Sequence, residues 1–177
     1  MRVIAGEFRS RRLKPIPGLD TRPTPDRLRE TLFDILGTQV EGAIFLDAYA
    51  GTGAVGIEAL SRGAARAIFI ERSKKAIKVL QENLMSLGIV NRALLVTASA
   101  AAAVVRHRAD IVFLDPPYER EAEYAAALRG LGQDPPPLVI VQHSVRFQPA
   151  ETYASLRKTR TLKQGDNALT FYAPTSL

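Results

Sequence analysis

Two short motifs in this chain combine residue types and spacings that could do chemistry. The first is the turn at residues 51–56, GTGAVG, which matches the pattern Gly-x-Gly-x-x-Gly, and the second is the segment 115–118, DPPY. Glycines let a backbone approach a ligand closely, and a helix that begins at such a turn offers free N–H groups. By itself the glycine pattern also fits an ordinary tight strand–helix turn, so its neighbours must decide between the two interpretations.

Two acidic residues near the glycine turn indicate which ligand it would bind. Glu71 lies twenty residues after Gly51, at the end of the next apolar run, where a carboxylate can accept both hydroxyls of a ribose. Asp47 lies four residues before Gly51, where it would repel a pyrophosphate but suit a sulfonium or ammonium group. These features predict an adenosine-containing cofactor and favour S-adenosyl-L-methionine over a dinucleotide. The predicted cofactor-binding residues are Asp47, Ala50, Gly51, Thr52, Gly53, Glu71, Arg72 and Ser99.

The second motif predicts a corner made of hydrogen-bond acceptors. Two prolines remove two N–H donors and leave two carbonyls, which join the Asp115 carboxylate in accepting from an NH2 group. Accepting both hydrogens raises the electron density on nitrogen, and the carboxylate stabilises the positive charge that nitrogen gains when it attacks a methyl group. Tyr118 can stack on the planar base that carries the amine. The predicted catalytic residues are therefore Asp115, Pro116, Pro117 and Tyr118, and the alternative is a turn with a capping aspartate and a packing tyrosine.

Both motifs follow apolar runs that are typical of buried strands in a parallel sheet. Such runs lie at 43–46, 67–70, 94–96, 110–114 and 138–141, and helical stretches lie between them at 55–61, 73–87, 99–106 and 121–131. Alternation of this kind predicts an α/β fold with helices on both faces of a mostly parallel sheet. Strand-like segments at 156–162 and 168–173 flank a turn and predict a closing antiparallel hairpin. Ligands of open parallel sheets bind beyond the carboxyl ends of the strands, where both motifs fall.

The first forty residues are predicted to form a short strand pair followed by a helix. Thr24 can cap the helix, Pro25 occupies its first position and Gly37 ends it. Apolar residues at 28, 32, 35 and 36 share one face, so Arg22, Arg27 and Arg29 are expected off that face or at its rim.

The distribution of charge is more informative than the net charge of +6, from 24 basic and 18 acidic residues. Residues 1–30 carry eight basic and four acidic side chains, and residues 146–163 carry five basic and one acidic. Two basic ends around a nearly balanced middle fit either a solvated surface or a footprint for RNA or DNA.

Composition excludes several classes of protein. The absence of cysteine excludes disulfides, thiolate metal sites and a cysteine nucleophile, and two histidines leave little for a metal cluster. The length of 177 residues fits one domain, and no apolar run approaches the roughly 18 residues of a membrane span. The N-terminus lacks the apolar core of a signal peptide. We therefore expect a cytoplasmic protein without a metal or a membrane partner.

Together these motifs resemble the bacterial 16S rRNA (guanine(966)-N(2))-methyltransferase family. The resemblance rests on RPT at 22–24, DR at 26–27, RE at 29–30, the stretch DAYAGTGAVGIEALSRGA at 47–64 and DPPY at 115–118, and it extends over nearly the whole chain. It implies a Rossmann-like class I methyltransferase with a seven-stranded sheet, acting on a guanine N2 in a 16S rRNA loop during assembly of the small subunit. It also implies an N-terminal basic β-hairpin extension over 1–22 and a methyltransferase domain over 23–177.

The resemblance also suggests where the RNA lies and where this chain departs from the family. The predicted RNA-binding residues are Arg9, Arg11, Arg12, Arg22, Thr24 and Arg27. Related enzymes often carry Asp or Asn near the adenine, where residues 97–99 here offer only hydroxyls. They often carry Glu after the fifth strand, where this chain has VQHS at 141–144. His143 is expected at the rim of the site and His107 on the surface.

Three other functions remain open at this stage. An adenine-N6 DNA methyltransferase would also use DPPY, but it must flip a base out of a duplex and read sequence, and the chain has no room for a recognition domain. A nicotinamide-dependent dehydrogenase is disfavoured by Asp47 and by DPPY. A non-catalytic RNA-binding module on the same fold is disfavoured by the intact motifs. The expected partner is 16S rRNA, either naked or in a protein-bound particle, and a monomer is favoured.

Overall fold

A computed structural model describes residues 1–18, 25–117 and 120–176. One eight-stranded sheet forms the centre, with the strand order β3-β2-β1-β4-β5-β8-β7-β6. The strands are β1 Ile44–Asp47, β2 Arg66–Glu71, β3 Ala93–Thr97, β4 Ile111–Leu114, β5 Leu138–Ser144, β6 Thr152–Tyr153, β7 Leu156–Gln164 and β8 Asn167–Pro174.

Strands β1 to β5 are parallel, and β6, β7 and β8 extend the sheet by antiparallel pairing. This confirms the predicted mostly parallel sheet and its closing hairpin. The described sheet has eight strands where seven were predicted. The additional strand is β6, whose two residues are too short to show a periodic pattern in the sequence.

Helices cover both faces of the sheet, as predicted. The α-helices are α1 Asp26–Leu36, α2 Ala54–Ser61, α3 Lys74–Leu87, α4 Ala100–Ala103 and α5 Glu121–Leu131. Apolar side chains of α1, α2 and α3 form one buried cluster with the sheet, and those of α4 and α5 form another on the opposite face. Among the helices described, none has the length and apolar character needed to cross a membrane.

The local signals at the helix ends are mostly confirmed. Gly37 follows α1 with a φ of +51°, and Gly88 ends α3 in the left-handed conformation that glycine favours. Helix α1 begins at Asp26 with Pro25 at the N-cap position, one residue later than predicted. The predicted cap, Thr24, lies outside the described residues.

The N-terminal segment, residues 1–18, differs from the predicted strand pair. Its β-pairing consists of a single antiparallel bridge between Arg2 and Arg12. Backbone hydrogen bonds flank this bridge, from Val3 to the Arg11 carbonyl and from Leu13 to the Met1 carbonyl, both at 2.9 Å. The main chain also bonds to a side chain of α2: Glu58 accepts from the N–H groups of Ile4 and Ala5, at 2.9 and 3.1 Å. Apolar residues of the segment are buried in the same cluster as α1, α2 and α3. Long-range partners of this kind leave no signal in a local pattern.

Arg29 is completely buried, and the prediction that it lies off the apolar face or at its rim was wrong. Its Nη2 donates to the Arg2 carbonyl at 2.6 Å and to Asp26 at 3.1 Å, and its Nε lies 3.9 Å from the Glu58 carboxylate. Burial lowers the pKa of the Arg29 guanidinium, and the charge of Glu58 opposes that shift. The charge is tolerated inside because acidic and carbonyl partners accompany it.

Candidate active site

The two sequence motifs lie at one edge of the sheet, as predicted. The glycine turn, which begins at Gly51, follows β1, and the Asp-Pro-Pro turn, residues 115–117, follows β4. Strand β1 is paired in parallel with β2 on one side and with β4 on the other, so all three carboxyl ends open to the same edge. Glu71, the last residue of β2, therefore lies beside the glycine turn.

The Glu71 carboxylate is half-buried and organises the backbone around the glycine turn. Its Oε2 accepts from the N–H of Gly51 at 2.9 Å, and its Oε1 accepts from Arg72 and Ser73 at 3.1 and 3.0 Å. A carboxylate offers about four acceptor positions, so one remains for a ligand hydroxyl. Acceptance of both hydroxyls of a ribose, as predicted, requires one of these N–H groups to give way.

Asp47 lies beneath the turn, where it is only 1% exposed. Its Oδ2 accepts from the N–H of Gly56 at 3.1 Å, which joins the end of β1 to the first turn of α2. Burial raises the pKa of Asp47 to about 7, the Gly56 hydrogen bond opposes the shift and the charge of Glu71 adds to it. A nearby ligand cation would oppose this shift and favour the ionised form of the carboxyl.

The glycines of the turn are required by backbone shape and by close packing. Gly51 and Gly53 have φ values of +56° and +89°, in the left-handed region that side chains disfavour. A Cβ on Gly53 would overlap the side chain of Leu80, and a Cβ on Gly56 would overlap the ring of Phe69. The turn therefore stays close to α3 and to β2 only with glycine at these positions.

Asn83 of α3 also holds the glycine turn, and the sequence analysis missed it. It is 1% exposed, and its Nδ2 donates to the carbonyl of Thr52 at 3.0 Å. The available signal is its position: Asn83 follows Leu80 by three residues, inside the buried stripe of an amphipathic helix. A polar residue at such a position needs partners, and their identity depends on the fold.

The other predicted cofactor residues also lie at this edge. The N–H of Ala50 donates to the carbonyl of Ile70 at 3.0 Å, so the turn leaves the sheet beside β2. Arg72 is exposed directly after Glu71, and Ser99 is exposed at the N-cap position of α4, where its hydroxyl makes no capping hydrogen bond. Thr97 is paired with Glu71 in the sheet, which places residues 97–99 beside the predicted ribose site.

The Asp-Pro-Pro turn is held from α5. The hydroxyl of Tyr124 lies 3.4 Å from the Pro116 carbonyl and donates to the Gln142 carbonyl at 3.1 Å. The Pro117 carbonyl accepts from the N–H of Arg120 at 3.0 Å. A carbonyl has two lone pairs, so each can still accept from a substrate.

The predicted acceptor corner therefore stays a prediction, with Asp115 half-buried, Pro116 buried and Pro117 exposed. Tyr118, the predicted stacking residue, lies outside the described residues.

A direct contact joins the regions around the two motifs. The hydroxyl of Tyr49, two residues after Asp47, donates to the carboxylate of Glu123 on α5 at 2.9 Å. Burial raises the pKa of Tyr49 above its ordinary value, and the hydrogen bond and charge of Glu123 add to the shift. The hydroxyl therefore stays protonated and fixes α5 relative to the end of β1.

His143 is buried inside β5, and its predicted place at the rim was wrong. Its Nδ1 lies 2.8 Å from the Ser144 carbonyl, and its Nε2 lies 2.7 Å from Thr170 Oγ. Burial lowers the pKa of His143, which favours the neutral ring. Both ring nitrogens have hydrogen-bond partners. Strand β5 continues through Gln142 and His143 because β8 pairs with both residues. The local sequence pattern gives no sign of this pairing.

The predicted RNA-binding residues fall into an exposed group and a group outside the described residues. Arg9, Arg11, Arg12 and Arg27 are exposed, whereas Arg22 and Thr24 lie outside the described residues. The turn that carries Arg9 packs on Ser61, at the end of α2 remote from the glycine turn. Eight helical residues separate these points, which is about 12 Å. The turn that carries Arg9 therefore docks away from the glycine turn.

The sheet order, the glycine turn and the helices on both faces define a class I methyltransferase fold, the S-adenosyl-L-methionine-dependent class, which confirms the predicted fold class and cofactor. "Putative methyltransferase yhhF from Escherichia coli" matches with a TM-score of 0.84 and 33% identity, over 100% of this chain and 99% of that one. An RNA methyltransferase from Salinibacter ruber, solved with S-adenosyl-L-homocysteine, matches with a TM-score of 0.66 over 88% of this chain and 96% of that one. At 18% identity the second match shows the fold alone.

The chain belongs to the family described as "Conserved hypothetical protein 95", whose model matches residues 1–173. "Putative rRNA methyltransferase YlbH" of Bacillus subtilis is 34% identical over 97% of this chain and 98% of its own length. "Ribosomal RNA small subunit methyltransferase D" of Escherichia coli K12 is 43% identical over 68% of this chain and 61% of its own length. The family resemblance seen in the sequence is confirmed.

Proposed function

We propose that this protein transfers a methyl group from S-adenosyl-L-methionine to the exocyclic N2 amine of a guanine in a 16S rRNA loop. The setting is assembly of the small ribosomal subunit in the cytoplasm. The observation that carries the proposal is the meeting of the glycine turn, Glu71 and the Asp-Pro-Pro turn at the carboxyl ends of three neighbouring strands.

The residues around the glycine turn fit the cofactor. Its adenosine ribose would lie against Glu71, which retains an acceptor position, and its amino-acid end would lie over Gly51 and Gly53, whose left-handed backbone brings the chain close. Asp47 lies below with a pKa near 7 and gains charge when a cation approaches. When bound, the cofactor would supply an electrophilic methyl group, and these residues would hold it at the carboxyl ends of β1 and β2.

The Asp-Pro-Pro turn would hold the amine that is methylated. Asp115 and the free lone pairs of the Pro116 and Pro117 carbonyls accept the two N–H bonds, which turns the nitrogen lone pair toward the methyl group. The nitrogen–carbon bond would form as the carbon–sulfur bond of the sulfonium breaks, with S-adenosyl-L-homocysteine as the leaving group. The nitrogen would gain positive charge, which the Asp115 carboxylate would stabilise at short range, and its surplus proton would then pass to that carboxylate or to water. Tyr124 supports this step indirectly by holding the Pro116 carbonyl from α5.

The names of the relatives and the charge of the chain support RNA as the substrate. The Bacillus subtilis and Escherichia coli relatives are both named as ribosomal RNA methyltransferases. A base in an RNA loop is already partly exposed, so it does not need the recognition domain that a duplex DNA enzyme uses. Adenine-N6 remains the competing target, because an acceptor corner suits any exocyclic amine.

One assay tests the reaction and the target together. The purified chain, labelled S-adenosyl-L-methionine and a 16S rRNA transcript should give labelled RNA, with the label on guanine N2 of a single nucleotide. Duplex DNA should remain unlabelled, and the same transcript in a partly assembled small-subunit particle tells which form is the better substrate. Label on adenine N6, or on DNA in preference to RNA, contradicts the proposal. Sedimentation of the active enzyme checks the favoured monomer.

A matched pair of triple variants tests the RNA surface. Replacing Arg9, Arg11 and Arg12 by Ala should weaken binding of the 16S rRNA transcript and flatten the slope of log affinity against log salt by about 2 to 3, from about 0.7–0.9 per lost phosphate contact. Replacing the exposed Arg157, Arg160 and Lys163 of β7 removes the same charge elsewhere. If only the β7 triple changes the slope, the RNA surface lies on β7 and the N-terminal assignment is wrong.

A further inference from the structure

One buried amide touches both the N-terminal segment and the glycine turn. The Oδ1 of Asn83 accepts from the N–H of Lys14 at 2.7 Å, and its Nδ2 donates to the Lys14 carbonyl at 3.2 Å. The same Nδ2 donates to the Thr52 carbonyl at 3.0 Å. Both donor hydrogens of the amide are therefore used, one toward each region.

From this geometry we infer that Asn83 is a positioning residue that links RNA docking on the N-terminal segment to cofactor binding at the glycine turn. The inference rests on the proposed function, in which that segment holds RNA phosphates. In this role Asn83 couples the two sites and does not itself contact either ligand.

The contact with Lys14 attaches the backbone of the N-terminal segment to α3. Two hydrogen bonds to the N–H and the C=O of one residue fix its orientation as well as its distance. Two residues further on, Ile16 packs against Ala76 and Val79, so the segment follows α3 from Asn83 toward its N-terminus. Helix α3 begins three residues after Glu71.

The contact with Thr52 acts on the part of the turn that the cofactor would meet. Its carbonyl belongs to the peptide that joins Thr52 to Gly53, and the N–H of that peptide donates to the Ala50 carbonyl at 2.8 Å. Leu80, one helical turn before Asn83, packs so closely on Gly53 that a Cβ there would overlap it. A displacement of Asn83 therefore tilts the 52–53 peptide and changes the surface offered to the cofactor.

Binding measurements on the intact protein test the coupling. S-adenosyl-L-homocysteine replaces the methyl donor, since it carries no methyl group to transfer, and its Kd is measured with and without a saturating 16S rRNA transcript. The ratio of the two constants should be about fivefold or more in the parent, which is the lower end of typical coupling between sites. In Asn83→Ala the ratio should fall close to one, while each ligand still binds.

Two further variants separate coupling from general loosening. Ser61→Ala removes the hydroxyl that accepts from the Phe8 N–H and donates to the Ala5 carbonyl, so it frees the same segment without touching the glycine turn. It should keep the parent ratio. Asn83→Asp keeps an acceptor for Lys14 but loses both donors, so it should lose the coupling as Asn83→Ala does.

The outcomes divide clearly. A parent-like ratio of the two dissociation constants in either folded Asn83 variant overturns the inference. A ratio of one in a parent that methylates RNA normally also overturns the inference, and that result leaves the proposed function intact. If both Asn83 variants fail to fold, Asn83 is a structural residue and the inference is wrong. If the parent binds 16S rRNA neither as a transcript nor in the partly assembled particle, the proposed function fails together with the inference.

Discussion

The glycine turn and the Asp-Pro-Pro turn follow neighbouring parallel strands, yet the protein holds them by opposite means. Around the glycine turn, side chains from other elements bind the backbone: Glu71 accepts three N–H groups, Asp47 accepts one, and Asn83 donates to a carbonyl. Around the Asp-Pro-Pro turn the prolines offer no N–H groups; the Pro117 carbonyl accepts from the N–H of Arg120, and the Tyr124 hydroxyl of α5 lies 3.4 Å from the Pro116 carbonyl.

The difference shows what each turn must present. A turn that surrounds a cofactor has to keep a left-handed glycine backbone in place, so side chains of the neighbouring elements fix it. A turn that receives an amine has to present acceptors, so its own donors are removed and its carbonyls keep a second lone pair for the substrate. The first turn should therefore be sensitive to packing and the second to charge.

The largest expected effect is on the second turn. Asp115→Ala should lower turnover by roughly 10²–10³, because it removes a preorganised acceptor aimed at developing charge. Affinity for the cofactor should hardly change. Single-turnover kinetics and calorimetry measure the two quantities, and the exposed Asp134→Ala serves as the control. An equal loss of turnover and cofactor affinity would make Asp115 a cofactor ligand and erase the contrast between the turns.

The next effect is on the cofactor side of the contrast. Glu71→Gln should weaken S-adenosyl-L-methionine binding by about 1.5–3 kcal/mol, or about 10- to 100-fold, because a charged acceptor is lost. Turnover at saturating cofactor should change far less. Titration calorimetry measures the affinity, with Glu41→Gln, an exposed site, as the control. Unchanged affinity in folded Glu71→Gln would refute the ribose assignment.

Packing at the glycine turn distinguishes two glycines that look alike in sequence. Gly53→Ala and Gly51→Ala both place a side chain at positive φ, but only the Cβ at position 53 meets a neighbour, Leu80. We expect Gly53→Ala to lower the free energy of unfolding by about 1–3 kcal/mol more than Gly51→Ala, the typical cost of overpacking. Urea denaturation measures the free energy of unfolding of both variants. Equal losses would mean that α3 accommodates the Cβ at position 53 without loss of stability.

The smallest expected effect is the pH dependence of cofactor binding. Because the pKa of Asp47 is about 7, its ionised fraction rises between pH 6 and 8, and affinity for a cationic cofactor should rise by at most about tenfold. Calorimetry across this pH range measures the cofactor affinity, and Asp47→Asn should flatten the dependence of that affinity on pH. Stability follows the opposite sign: a raised carboxyl pKa favours the folded state at low pH, and this contribution is lost as pH rises from about 4 to about 7. An Asp47→Asn protein with the parent's pH profile would count against this role.

Many of the helices and strands could be predicted from local sequence patterns. Helix α5 was predicted at its observed bounds, 121–131, because an acidic start and a periodic apolar face lie within eleven residues. The ends of β1 and β2 at Asp47 and Glu71 were equally clear, since an apolar run stops at a charge. Parallel pairing then brings the two motifs together without further information.

The errors concern residues whose partners are far away in the chain. Arg29 looked like a surface residue because two of its partners, the Arg2 carbonyl and Glu58, are 27 and 29 positions away. His143 is buried because Thr170 of β8 satisfies its ring, and Asn83 was missed because its role depends on Lys14 and Thr52. A local pattern shows which residues are polar, whereas only the tertiary fold shows which of them are paired inside.

The docking of the N-terminal segment on α2 and α3 has a consequence for the order of events during synthesis. Lys14 is made 69 residues before Asn83, its partner. At roughly 5–20 residues per second, the ribosome needs about 3–14 s to supply that partner after the segment has been made. During this interval the segment's arginines are attached to a nascent chain that offers them no docking surface. Folding of the N-terminal segment is therefore among the later steps, although its residues are the first to be translated.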